Sequence, residues 1–258
     1  MMNMLTYFPV FLLVLVRVTA FFVTLPLFSY RNIPTTHKIG VSFFLSWLIF
    51  YTLDKPSIVI DGFYFMLIIK EILVGLLIGF IAYVILSAIQ IAGGFIDFQM
   101  GFAIANVIDP QTGAQSPLIG QYLYTFALLL FLSVNGHYLL LDGVFNSYQL
   151  IPLEQPWIPF QNEKMLELII TTFNSMFVIA FQMAIPVVGS LFLVDVALGI
   201  VARTVPQLNV FVVGLPLKIA VGFIIIILVM GSILMLVQQL FGNMIYVMKG
   251  LMEIIGGQ

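Results

Sequence analysis

Long runs of apolar residues alternate with short polar segments along the 258-residue chain. A helix rises 1.5 Å per residue, so about 20 apolar residues cross a hydrocarbon layer of about 30 Å. Six runs approach or exceed this length, at residues 4–30, 39–53, 72–96, 118–141, 168–194 and 219–248. The pattern predicts an all-α integral membrane protein with about six long apolar helices, forming a single membrane domain over residues 1–258.

The composition agrees with this prediction, because 62% of the residues are hydrophobic and only 8% are charged. A soluble domain usually carries about a quarter charged residues on its surface. Most of this chain must therefore face lipid or other apolar protein. A net charge of −2 without a basic patch argues against a nucleic-acid partner. The absence of cysteine excludes disulfides, thiolate metal sites and cysteine nucleophiles.

The first apolar run is expected to be a retained helix and not a signal peptide. It lacks a basic segment before it and a small-residue cleavage site after it, and it carries Arg17 near its middle.

Three common catalytic and phosphate-binding motifs are absent from the sequence. The chain has no phosphate-binding G-x-x-x-x-G-K-[ST], no zinc-binding H-E-x-x-H and no G-x-S-x-G nucleophile turn. Its two histidines, His37 and His137, could share a metal only if distant segments met. We therefore expect no catalytic, cofactor-binding or metal-binding residues, and predict that the protein is not an enzyme.

Ionisable residues inside or beside the apolar runs are the main candidates for function. They are Arg17, Asp195, Arg203 and Lys218. Intramembrane charge can form a proton or ion relay, and it can also pair within or between subunits or reach the membrane surface from a helix end. We favour the structural interpretation, because no second carboxylate or histidine accompanies these residues on the same helix faces.

Small and amide residues in the apolar runs predict close packing within an assembly. Gly75 and Gly79 form a small-xxx-small pair that allows two helices to approach each other. Side-chain amides are costly in lipid, so most should face protein or water. They recur along the apolar runs at Gln90, Asn174, Gln182, Gln238, Gln239 and Asn243.

Several short motifs, taken in their order and spacing, resemble one family over essentially the whole chain. They are DFQMGF at 97–102, LLFLSVNGH at 129–137, DVALG at 195–199, PQLNVF at 206–211 and GLPLK at 214–218. Together they resemble the FliR export-gate proteins of the bacterial flagellum, with their SctT-type counterparts in virulence type III secretion.

The resemblance implies a subunit of the flagellar type III export gate, located in the bacterial inner (cytoplasmic) membrane at the flagellar basal body. Such a subunit passes unfolded flagellar proteins outward. Its expected partners are FliP-like and FliQ-like membrane subunits, FlhB-like and FlhA-like export components, export substrates and membrane lipid. The family's fold winds helical hairpins into a right-handed assembly, part of which is lifted out of the membrane plane.

The resemblance also implies that a loop of this subunit helps to plug the closed gate. The matching stretch covers residues 109–121. A loop rich in Gly, Ser and Gln and bounded by prolines can move, although the same composition is typical of a surface turn. The candidate plug consists of Asp109, Pro110, Gln111, Thr112, Gly113, Ala114, Gln115, Ser116 and Pro117.

Two other classes of function make different predictions. A secondary transporter or ion-channel subunit predicts inverted repeats and interrupted helices that converge at mid-membrane. No internal repeat is evident, and Pro26, Pro186 and Pro216 do not pair symmetrically. An intramembrane enzyme predicts paired catalytic groups, yet Asp97 and Asp195 lie in no recognisable protease motif.

Overall fold

The structure is a computed structural model that describes residues 7–26, 28, 33–54, 56, 58–102, 117–159, 162–207 and 209–257. Every regular element within these ranges is an α-helix, which confirms the all-α class. The seven helices are α1 (Phe8–Thr24), α2 (Thr35–Thr52), α3 (Gly62–Met100), α4 (Leu118–Ser133), α5 (Gly136–Leu150), α6 (Glu163–Thr204) and α7 (Val210–Gly256).

Only three of these helices are long and apolar enough to cross a membrane alone. They are α3, α6 and α7, with 39, 42 and 47 residues. The pair α4 and α5 meets the same criteria together but is bent by 72°, which gives three or at most four candidate spans among the described residues. The prediction of about six long apolar helices is therefore not confirmed.

The predicted run 118–141 is divided because of a backbone feature that hydropathy does not register. Asn135 adopts a left-handed conformation with φ of 59°, between the last residue of α4 and the first of α5. Left-handed residues, usually Gly or Asn, commonly end helices. The Asn-Gly pair thus turns one apolar run into two short helices.

The three long helices exceed what a bilayer requires. At 1.5 Å per residue they measure about 58 to 70 Å, against roughly 40–45 Å for a bilayer including its headgroups. Helix α3 begins ten residues before the predicted run 72–96, and it includes Lys70 and Glu71 within its length. The apolar runs therefore mark where hydrophobic segments lie but do not mark where the helices end.

The chain divides into two compact units. The first comprises Met1–Leu86, Asn135–Phe173 and Gly242–Gln258, and the second Ser87–Val134 and Asn174–Phe241. The division falls within α3, α6 and α7. The single membrane domain stays a prediction.

In the first unit, α1 packs against both α2 and α3. The ring of Phe11 makes edge-to-face contacts with Phe43, Trp47 and Phe50 of α2 at centroid distances of 5.6–5.7 Å. On α3, Gly75 and Gly79 lie against the backbone of α1, so that α1 and α3 approach each other closely. Burial of large rings and close backbone contact therefore hold α1, α2 and α3 together.

In the second unit, the start of α4 lies against α3. A Cβ atom at Gly93 would collide with Gly120 and lie 3.1 Å from the carbonyl carbon of Ile119. The other end of α4 is held by Phe131, whose ring lies 4.8 Å from that of Phe241. Glycine at the crossing point is therefore a packing requirement in this unit too.

Burial differs strongly among the long helices. In the most apolar stretch of α3, 61% of residues are buried inside the chain, against 17% for both α6 and α7. Helices α6 and α7 consequently present large apolar side chains outward, among them Phe192, Leu193, Ile227 and Leu228. Exposed apolar area of this extent requires lipid or another protein to cover it.

Candidate functional site

The first unit contains a buried charge cluster formed by Arg17, Lys70, Glu71 and Tyr148. The side chains of Arg17 and Glu71 are 1% and 0% exposed, and that of Lys70 is 2% exposed. Arg17 donates to both carboxylate oxygens of Glu71, with 2.9 Å from Nη2 to Oε1. Lys70 donates to the same carboxylate. One carboxylate thus serves two cations taken from α1 and α3.

The extra positive charge of the cluster faces backbone carbonyls at the end of α5. Arg17 donates to the carbonyl oxygens of Ser147 at 2.9 Å and Ile151 at 3.0 Å. Lys70 donates to the carbonyl oxygen of Pro152 at 3.0 Å. The carbonyl end of a helix carries partial negative charge, and the carbonyls of Ile151 and Pro152 lie just beyond the last residue of α5. The cluster therefore joins this end of α5 to α1 and α3.

Tyr148 closes the cluster on its remaining side. Its ring centre lies 4.1 Å from the guanidinium carbon of Arg17, within the range of a cation–π contact. Its hydroxyl donates to the carbonyl oxygen of Val14 at 3.1 Å. Three helices are therefore fixed to one another around a guanidinium group that water does not reach.

The second unit contains a half-exposed pair, Asp195 and Lys218. The Lys218 ammonium lies 2.9 Å from one carboxylate oxygen and 3.0 Å from the other. Gln99 donates to the same carboxylate at 2.7 Å. The pair connects α6 to α7, and Gln99 brings in α3. The side chains of Lys218 and Asp195 remain 18% and 40% exposed.

The other predicted charge, Arg203, is exposed in the last turn of α6, eight residues beyond Asp195. A cation in the last turn of a helix is favoured by the helix dipole. The structure thus brings Asp195 and Lys218 together and places Arg17 in a separate cluster. Whether all four residues act structurally stays a prediction.

The predicted packing residues lie at the contact between α1 and α3. A Cβ atom at Gly75 would lie 2.8 Å from Cβ of Ala20, and one at Gly79 would lie 2.9 Å from the carbonyl oxygen of Phe21. Both distances are shorter than real side chains adopt, so neither position has room for a larger residue.

The candidate plug falls mostly outside the described residues. Asp109 to Ser116 lie in the segment 103–116, which the structure does not describe, while Pro117 precedes the first residue of α4. On the other side of this segment, α3 ends at Met100 and Gly101 adopts φ of 91°.

Sequence reasoning missed Lys70, Glu71 and Tyr148 as partners of Arg17. A signal for Glu71 was present, because a buried arginine requires a counter-charge and Glu71 directly precedes a long uncharged run. Tyr148 carries no comparable signal. Among the described residues, no group of three or more His, Cys, Asp or Glu side chains could hold a metal ion.

Comparison with known proteins places these features in a family. Residues 8–244 match the model for bacterial export proteins, family 1. The chain is 60% identical over 257 residues to the flagellar biosynthetic protein FliR of Bacillus subtilis, covering 99% of each chain. It is 30% identical to FliR of Escherichia coli, covering 89% of this chain and 87% of that protein.

A relative from another secretion system also matches. The Yop proteins translocation protein T of Yersinia pestis is 31% identical over 219 residues, covering 84% of each chain. These matches confirm the resemblance that the sequence motifs indicated. The chain belongs to family 1 of the bacterial export proteins, the family that includes the flagellar biosynthetic protein FliR.

Proposed function

We infer that this chain is a membrane-embedded component of the flagellar type III export apparatus, and we propose that it is a non-enzymatic subunit of the export gate in the cytoplasmic membrane at the basal body. The observation that carries the inference is the 60% identity to a flagellar biosynthetic protein along 99% of both chains. A secondary transporter or ion-channel subunit is not favoured by membership of this family.

Exposed amides support the proposal that other subunits cover this chain. Gln90, Asn174, Gln182, Gln238 and Gln239 are all exposed on helices that are otherwise apolar. An amide in lipid leaves its donors and acceptors without partners, whereas an amide at a subunit interface can be paired. We therefore assign the outer faces of α6 and α7 mainly to protein contacts. FliP-like and FliQ-like subunits are the proposed partners, with FlhB-like and FlhA-like components nearby.

The length of α3, α6 and α7 supports the same arrangement. Helices of about 58 to 70 Å extend beyond a bilayer of roughly 40–45 Å unless they are strongly tilted. In an assembly of helical hairpins that is partly lifted out of the membrane plane, apolar neighbours replace lipid along the remaining length. An apolar helix has the same hydropathy whether lipid or apolar protein surrounds it.

The export proposal is tested by deleting the gene in its own organism and measuring the secretion of flagellar proteins. We expect secretion and swimming to be lost and to return when the full chain is supplied in trans. Levels of the secreted proteins inside the cell serve as the control for their synthesis. Normal secretion in the deletion strain would contradict the proposal.

We also propose that the segment from Asp109 to Pro117 restrains the closed gate. Deleting residues 111–116 should raise ion leakage through the assembled complex, because the loop then becomes too short to fill the opening. A Gly-Ser replacement of the same length is the control, since it keeps the chain length while removing the side chains. Unchanged conductance after the deletion would show that this segment does not plug the gate.

A further inference from the structure

Pro117, the residue directly before α4, has no side-chain acceptor with which to cap this helix. A helix begins with backbone N–H groups that have no partner within the helix, and a Ser, Thr, Asp or Asn side chain usually accepts from them. Pro117 occupies this position and makes no side-chain capping bond. The start of α4 must therefore obtain its acceptor from elsewhere in the unit.

Asp97 of α3 supplies this acceptor from 22 residues earlier in the sequence. Its two carboxylate oxygens lie 3.0 and 3.2 Å from the backbone nitrogen of Ile119, and the residue is only 2% exposed. A carboxylate at the positive end of a helix dipole gives a charge-assisted hydrogen bond. This is the bond of a helix cap, made by a residue of another helix.

The backbone of Asp97 ends α3 as well. Its carbonyl oxygen accepts from the N–H groups of Gly101 at 3.1 Å and Phe102 at 3.0 Å. Gly101 has φ of 91°, the left-handed conformation that usually follows a helix end of this kind. One residue thus closes the helix before the segment 103–116 and opens the helix after it.

Packing around Asp97 independently keeps the two helices close. Gly93, one turn earlier on α3, lies so near Gly120 that a side chain would have no space. A Cβ atom at Gly94 would lie 3.5 Å from Cγ of Pro117. The start of α4 is therefore seated on α3 by direct backbone contact as well as by the carboxylate.

We propose that Asp97 is a positioning residue of the export gate. It fixes the separation between Phe102 and Pro117, the two described residues that flank the segment 103–116. Its geometry stands on the described residues alone, whereas its consequence for the gate rests on the proposed function of the intervening plug. With the carboxylate in place, the first turn of α4, directly after Pro117, is held on α3. Without it, the backbone contact of Gly93 with Gly120 is left to hold the start of α4 on α3.

The chain contains no cysteine, so a pair introduced at Gly94 and Pro117 reports how closely the start of α4 stays on α3. We would replace Gly94 and Pro117 by cysteine in the full chain, within the purified export complex, and follow disulfide formation under mild oxidation. Asp97→Ala should slow the reaction about tenfold, as expected for loss of a helix cap. Asp97→Asn should stay within about threefold of the parent, because asparagine caps helices as well as aspartate does.

The exposed carboxylate of Asp142 provides a matched control, and Asp142→Ala should leave the crosslinking rate unchanged. An unaltered rate in Asp97→Ala, or an Asp97→Asn rate as slow as that of Asp97→Ala, would overturn the positioning role. Rescue by the neutral amide also separates capping from a proton-transfer role, which requires the acid.

Ion conductance distinguishes failure of this inference from failure of the plug. If deletion of 111–116 causes leakage and Asp97→Ala does not, the positioning role at the gate is wrong. If neither variant leaks, the plug is wrong, and slow crosslinking in Asp97→Ala still supports Asp97 as the residue that holds α4 on α3. Leakage in Asp97→Ala that is absent in Asp97→Asn supports both the plug and the positioning role of Asp97.

Discussion

The two compact units accommodate charge in different ways. In the first unit, the charges of Arg17 and Glu71 are completely buried and meet each other, a second cation and several carbonyls. In the second unit, Asp195 and Lys218 form an ion pair although their side chains are 40% and 18% exposed. Removing one partner of a buried pair leaves an uncompensated charge, whereas a partly exposed pair contributes little. Charges that look alike in an apolar sequence can therefore differ greatly in their effect.

The largest effect is expected at the shared carboxylate of the buried cluster. Glu71→Gln leaves Arg17 and Lys70 buried without a counter-charge, a change that costs about 3–5 kcal/mol. We expect the protein level in the membrane and the thermal stability of the complex to fall sharply. Immunoblotting and a thermal melt of the purified complex measure the two quantities.

A control for this variant lies in the same unit. Glu253 forms an exposed pair with Lys249 at 3.7 Å in the last turns of α7. Glu253→Gln should change neither protein level nor stability measurably, because exposed pairs one helical turn apart contribute at most about 0.5 kcal/mol. Equal effects of the two substitutions would remove the distinction between the buried and the exposed carboxylate.

An intermediate effect is expected where α1 meets α3 beside the buried cluster. Gly75→Ala places a methyl group 2.8 Å from Cβ of Ala20 and against the Arg17 carbonyl, so α1 must shift. Overpacking of this kind costs about 1–3 kcal/mol. Gly40→Ala in α2 is the control, since a Cβ atom there meets nothing within 4 Å and alanine favours a helix. Thermal melts should show destabilisation only at Gly75, and equal melting temperatures would contradict the close approach of α1 and α3.

The smallest effect is expected in the second unit. Asp195→Asn and Lys218→Gln should each lower stability by about 1 kcal/mol or less and reduce assembly slightly. Arg203→Gln, which removes an exposed cation from the last turn of α6, should change less. A double-mutant cycle on Asp195 and Lys218 measures their coupling. Intact assembly with loss of proton-coupled export in Asp195→Asn would favour a relay over a structural pair.

The sequence predicted the class of fold and the family but not the helix limits. The apolar runs required an all-helical membrane protein, and the ordered motifs from 97 to 218 identified its relatives. Hydropathy missed the break at Asn135, because a left-handed residue leaves the mean hydropathy of a run unchanged. It also placed Lys70 and Glu71 outside a helix that in fact contains them.

The candidate site was predictable only in part, for a similar reason. Arg17 was conspicuous as a charge inside an apolar run, but its partner Glu71 is 54 residues away and Ser147 is 130 residues away. Contacts over such separations depend on how the helices pack, which a local pattern does not determine. Asp97 stood within a family motif, and its role at the start of α4 emerges only from the neighbouring backbone of Ile119.

The central claim, that this chain is an export-gate subunit whose outer apolar helices are covered by partners, is tested most directly by mild detergent purification of the tagged chain from its native membrane. Mass spectrometry then identifies the proteins that co-purify. The account predicts two small apolar subunits, FliP-like and FliQ-like, each in several copies. Recovery of the chain alone or as a homodimer would contradict it.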